Sequence, residues 1–198
     1  CTGVVVCLVL VLTAWPAARQ NPKPPTVVEK AVRELDLAPI LKSWSGDFDA
    51  MVERRAIRVL APHSRTFFFN ELGRERGYAA DLVRVFEKHI NEKFAAQLGK
   101  RPITVLIIPT TRDRLFRGLV EGLGDIAVGN LTVTDERLRT VDFVTAADAI
   151  KLTEVLLTGP KSPAVATIDD LSGKTVHARP SSSYHESLLA LNDRFKKE

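Results

Sequence analysis

Beyond residue 56 the chain switches repeatedly between two hydrophobic rhythms. "IRVLA" (57–61) is a short β-branched run, and "ITVLIIP" (103–109) is a second run with little polar interruption. Both predict strands. Between them, "AADLVRVFEKHINEKFAAQLG" (79–99) sets apolar residues three and four apart with charges in the gaps, the pattern of an amphipathic helix. "TRDRLFRGLVEG" (111–122) predicts another helix, stopped by Gly122, and "DIAVGNLTVT" (125–134) predicts a third strand. Strands that alternate with helices and are nearly all apolar imply a parallel sheet covered on both faces. The expected class is α/β.

In open sheets of this kind the ligand lies outside the carboxyl ends of the strands. The third strand ends in "LTVTDER" (131–137), which brings Thr132, Thr134, two acids and Arg137 to that edge. A plainer reading makes Thr134 the N-cap of a short helix, with Asp135 and Glu136 favoured by its dipole and Arg137 on a solvated face. The two readings are compatible for Thr134 and differ for Arg137. Further on, "KTVHA" (174–178) predicts a strand, and Ser181, Ser182 and Ser183 follow it at the start of a helix. Free N–H groups and the dipole favour an anion there, although the same serines also serve as ordinary caps.

The N-terminal segment is of different composition. Residues 3–15 carry no charge and fall short of the roughly 20 residues that a membrane-spanning helix needs. The expectation is a secretory signal peptide or a membrane anchor over 1–19, followed by an extended linker and short helix over 20–50. Cys1 and Cys7 both lie in that segment, so the body beyond it has no thiol for disulfides, zinc or nucleophilic catalysis. The formal charge is +4, but 28 basic residues are interspersed with 24 acidic ones without aromatic interleaving, which argues against nucleic acid as a partner.

Three stretches also carry a family resemblance. "GYAADL", "LVEGLGDIAVGNLTVTDERLRTVDF" and "IDDLSGKTVHARPSSSYHESLLAL" are similar, in order and spacing, to the segments that define the type 3 extracellular solute-binding proteins, the amino-acid receptors of ABC importers. "FDAMVERRAIRVLAPHSRTFFF" and "TTRDRLFRGLVEGLGDIA" resemble more narrowly the solute-binding-like domain of membrane-bound lytic transglycosylase F and its relatives, where a peptidoglycan-cleaving domain follows. The resemblance implies a two-lobed periplasmic-binding-protein-like fold of type II, with a parallel-rich sheet in each lobe. Lobe 1 is expected over 51–152, a hinge crossover over 153–158 ("TEVLLT"), and the start of lobe 2 over 159–198. One strand and one helix bury too little for a core, so the second lobe is expected to be truncated.

The resemblance also implies roles. Arg137 matches the arginine that forks to a ligand carboxylate, a task for which guanidinium geometry suits and an ammonium does not. Thr132 matches the residue that adds a hydroxyl and an N–H to that carboxylate, and Asn130 a position whose carbonyl receives the ligand ammonium. Ser181, Ser182 and Ser183 match the loop of the second lobe, and Arg179 a site lining the cleft. Phe67 is a candidate wall. Arg112 stands where many receptors stack an aromatic ring, and either meets a second anionic group or pairs with Asp113. "DFVTAADAI" departs from the usual approach to the hinge, which favours a sensor over an ordinary import receptor.

Other chemistry finds little support. His63, His89, His177 and His185 fall on separate elements, so neither a metal nor another cofactor is expected. No carboxylate pair for glycoside hydrolysis and no nucleophile motif is identifiable, so no catalytic residue is assigned. Dehydratases acting on cyclic dicarboxylates share the two-lobed fold and form a lesser alternative. The reading is an extracytoplasmic or periplasmic domain that binds a small carboxylate, an amino acid or a muropeptide-like ligand. Peptidoglycan or a membrane transporter are the further partners implied.

Overall fold

The computed structural model describes residues 42–145 and 151–197, all within one compact unit, Ile40–Glu198. The expected leader over 1–19 and most of the linker lie outside the described residues. Helix α1 (Phe48–Arg54) opens at Asp47, whose carboxylate accepts the N–H of Ala50. It closes at Arg55, which takes a left-handed turn with φ 58° and returns its N–H to Val52. That turn feeds strand β1 (Ala56–Pro62), all seven residues of which are buried.

β1 is the middle of a three-stranded parallel sheet. Strands β2 (Phe69–Glu71) and β3 (Arg74–Arg76) form a separate antiparallel hairpin, while β4 (Thr104–Thr110) and β5 (Ile126–Ala127) flank β1 in the order β4-β1-β5. The register runs from Ala56 opposite Thr104 to Pro62 opposite Thr110, and pairs Val59 with Ile126. The helices cover both faces, as nearly continuous apolar strands require. On one side Ile57, Val59 and Val105 pack with Val83 and Ile90 of helix α2 (Tyr78–Lys93) and with Leu98 of helix α3 (Ala95–Leu98). Each such side chain contributes about 1.5–3 kcal/mol by leaving water. On the other side Leu60 lies so close to helix α4 (Leu115–Val120) and the following turn that a Cβ on Gly124 would come within 2.4 Å of Leu60 Cγ.

Asp125 joins the sheet to its flank. Its carboxylate accepts the Arg58 N–H at 2.7 Å and the Arg58 guanidinium at 2.7 Å, and is 2.6 Å from Arg54. The same Arg58 guanidinium donates to the carbonyls of Lys42 and Trp44, and the Arg54 guanidinium lies 3.9 Å from the Trp44 ring centroid. The residues ahead of α1 are thereby fastened to the sheet by paired, hydrogen-bonded charges, the condition on which charge is tolerated in a core.

Four expectations are corrected. The single helix over 79–99 is two, broken at Phe94, whose ring is held against Phe48 at 4.8 Å while Gly99 ends the second piece at φ 60°. The third strand does not run to Thr134. Its ladder stops after Ala127, and Asn130 turns the chain with φ 50°. The helix over 111–122 is a 3₁₀ turn at Arg112–Arg114 followed by the shorter α4. "KTVHA" is not a strand, because no strand among the described residues lies beside it to supply a ladder. Beyond residue 150 the regular elements among the described residues are a 3₁₀ turn at Asp169–Leu171 and helix α6 (Ser183–Phe195), which follows the short α5 (Asp135–Leu138).

Candidate functional site

The carboxyl ends of β1 and β4 are held level by their pairing, and the ladder is extended by His63 N–H donating to the Thr110 carbonyl at 2.9 Å. Beyond His63 the chain folds into a tight loop. Ser64 and Phe68 exchange backbone hydrogen bonds, and Ser64 Oγ accepts the Phe67 N–H at 3.0 Å. The start of α2 fixes this loop from behind, through Tyr78 N–H to the Thr66 carbonyl and Ala79 N–H to the Phe67 carbonyl. That approach requires glycine at position 77. Its φ is 103°, and a Cβ there would lie 2.5 Å from the Phe67 carbonyl oxygen. The sequence thus spends a glycine and three consecutive phenylalanines to place one of them, Phe67, at the strand ends.

A cleft of about 600 Å³ opens there, lined by Pro62, His63, Ser64, Thr66 and Phe67 from the β1 side, by Thr110, Thr111, Arg112 and Asp113 from the β4 side, and by Arg179. The Arg112 guanidinium lies 4.6 Å from the Phe67 ring centroid and donates to the Gly129 carbonyl at 2.7 Å. It does not pair with its neighbour Asp113, which instead accepts the Ser181 hydroxyl. Arg179 is exposed at the cleft and its side chain has no ion-pair partner among the described residues. Two guanidiniums, one stacked and one free, therefore face a concave, mostly neutral wall, an arrangement suited to a planar anion such as a carboxylate.

Beside the cleft a second cluster has formed around Arg137. Thr134 caps α5, accepting the Arg137 N–H, as the capping interpretation anticipated. The Arg137 side chain is nevertheless not on a solvated face. It is only 9% exposed, with Nε 3.0 Å from Glu186 Oε1, Nη1 donating to the Thr132 carbonyl at 2.9 Å and Nη2 to the Ser181 carbonyl at 3.2 Å. Its guanidinium carbon lies 4.9 Å from the Phe116 ring centroid, and Phe116 in turn packs near Phe143. Ser183, also buried, donates to the Thr132 hydroxyl at 3.3 Å.

The nine expected residues are thus unevenly gathered. Phe67, Arg112 and Arg179 line the cleft, whereas Thr132, Arg137, Ser181 and Ser183 form the adjoining cluster, with Asp113 touching both groups. Ser182 is the N-cap residue of α6, but its hydroxyl turns to the Arg179 carbonyl at 2.6 Å and caps nothing. Asn130 is exposed at its left-handed turn. His63 and Glu186 were not anticipated at the site, and Asp113 was anticipated only as a partner for Arg112. An acid near the start of a helix is already accounted for by the dipole, so nothing in the sequence pointed Glu186 at Arg137. Among the described residues no three of His, Cys, Asp and Glu meet as a metal site would require.

Comparison with known proteins bears on this geometry. The profile of the bacterial extracellular solute-binding proteins, family 3, matches residues 59–197. Among curated proteins, the chain is 28% identical over 106 residues to the membrane-bound lytic murein transglycosylase F of Desulfosudis oleivorans, a match covering 54% of this chain and 22% of that relative. The chain therefore spans less than a quarter of that protein's length. No solved structure gives a significant match.

Proposed function

Because the chain belongs to family 3 of the bacterial extracellular solute-binding proteins, we propose that it binds a small carboxylate-bearing solute, an amino acid or a short cell-wall peptide, at the carboxyl ends of β1 and β4. The observation that carries this reading is the placement of Arg112 and Arg179 on a cleft of about 600 Å³ beside the Phe67 ring. That volume lies within the usual range of small-molecule sites. Arg137, the family's carboxylate fork by position, belongs to the adjoining cluster and supplies a third cation to the same edge of the sheet.

The similarity to a lytic murein transglycosylase favours a sensor role within a cell-envelope protein, with a two-lobed body that closes on its solute. The family itself favours a second role, as the receptor of an amino-acid importer. Either role operates outside the cytoplasmic membrane. Among the described residues no helix is long and apolar enough to cross one.

Isothermal titration of the chain with amino acids, dicarboxylates and cell-wall peptides tests the reading from the ligand's side. Any member that binds should lose affinity when its carboxylate is converted to the amide, by about tenfold or more for one charge-assisted contact. Equal affinity for acid and amide would contradict the carboxylate assignment.

A further inference from the structure

Three of the five N–H donors of Arg137 are engaged, by Glu186, the Thr132 carbonyl and the Ser181 carbonyl, and of these acceptors only Glu186 is an anion. A guanidinium this buried is costly without a negative partner, so in the absence of a solute carboxylate one must come from the protein. Glu186 fits that need. It lies in the first turn of α6, three residues beyond Ser183 and on the same side of the helix, so that Ser183 meets Thr132 while Glu186 meets Arg137.

The two partners differ in what they lose on separating. Arg137 is 9% exposed, but the Glu186 side chain is 32% exposed and already reaches water. Released, Glu186 stays near the N-terminal end of α6, where the dipole favours its charge. Arg137 released without a replacement stays buried beside Phe116. The exchange of one carboxylate for another on Arg137 is therefore the cheap transition, and loss of any carboxylate is the expensive one.

We propose that Glu186 is a built-in carboxylate that occupies the Arg137 fork, and that a solute binds Arg137 by displacing it. Glu186 then determines specificity. A solute bearing a carboxylate replaces it on the fork, and a solute with only neutral groups leaves the ion pair in place and forgoes Arg137. The pair also lowers the apparent affinity of every acid by the fraction of time that the fork is occupied. This rests on the carboxylate reading of the site, which goes no further than the cleft and its cations.

The test uses the full chain with sodium acetate and L-glutamate as probes, and follows the Arg137 Nε–H by NMR together with calorimetric titration. Without probe, Glu186→Gln should speed exchange of the Arg137 Nε–H with water. With probe, the same variant should bind about tenfold more tightly than wild type, as expected when a mostly occupied fork becomes mostly open. Adding Arg137→Lys should abolish that gain, and Glu186→Asp, which keeps the charge one methylene shorter, should fall between and serves if Glu186→Gln folds poorly. Equal affinity in wild type and variant would overturn the competition and leave the carboxylate reading standing. Weaker binding by the variant, or unchanged Nε–H exchange, would make Glu186 a strut and likewise overturn it. Faster exchange with no binding of either acid would overturn both the competition and the carboxylate reading.

Discussion

Arg58 and Arg137 are both buried, but on different terms. Arg58 is fully enclosed and shares the Asp125 carboxylate with Arg54, so the group serves the sheet and has no route to a solute. Arg137 stands at the sheet's carboxyl edge with a partner that is one-third exposed. The first arrangement is a fixed joint, and removing its anion leaves two cations facing one another in a dry setting. Asp125→Ala should accordingly cost about 3–5 kcal/mol of stability in urea unfolding. Arg139→Ala, which removes an ion pair with Glu136 that is over 70% exposed on both sides, should change stability by no more than about 0.5 kcal/mol. A small loss for Asp125→Ala would mean that the Arg54, Arg58 and Trp44 cluster does not hold the entry to the sheet.

Among the elements, the hairpin of β2 and β3 shows what local sequence conceals. Its two-residue turn places Leu72 at φ 49° and Gly73 at φ 78°, the left-handed pair that a type I′ turn demands. Leucine is a poor choice for that conformation and the Leu72 side chain is fully exposed, so the expected asparagine signal is absent and the hairpin is not apparent from sequence. Leu72→Asn should raise stability by roughly 0.5–1 kcal/mol, read as a higher melting temperature with unchanged binding. The turn at Asp169–Leu171 makes a second, electrostatic case. The Asp170 carboxylate accepts the N–H groups of Thr167 and Ala166 at 2.8 Å each. Those bonds, the Thr167 one foremost, hold its carboxyl below the usual carboxylate range. Since the folded value is the depressed one, the contribution is complete above the unfolded value and is lost as pH falls through the folded one. Carboxyl-detected NMR titration should find the Asp170 midpoint below the usual carboxylate range, and an ordinary midpoint would contradict the turn as described.

At the scale of the molecule, the sheet was legible because a strand buried on both faces advertises itself as an unbroken apolar run, as β1 and β4 do. The parallel direction followed from the alternation of strands and helices, whereas the strand order β4-β1-β5 did not. Structure that depends on a partner distant in sequence leaves no such mark. "KTVHA" has strand composition but no neighbour among the described residues, and β5 shortens because the turn at Asn130 diverts the chain. Of the candidate site, Phe67, Arg112 and Arg179 are legible one by one as residues, and the fold brings them to one cleft. The engagement of Arg137 by Glu186, 49 positions away, is not legible, because no local pattern records a contact between segments so far apart.

The central claim is that this cleft takes a carboxylate through its cations. Its most direct measurement is isothermal titration of wild type, Arg112→Ala and Arg179→Ala with a panel of amino acids, dicarboxylates and cell-wall peptides, with Arg139→Ala as the control. Loss of one cleft guanidinium should weaken an acid that binds wild type by about tenfold or more, equivalent to at least about 1.4 kcal/mol, while the control binds as wild type does. An acid that binds wild type and both cleft variants with the same Kd would contradict the account, as would a panel in which no acid binds at all.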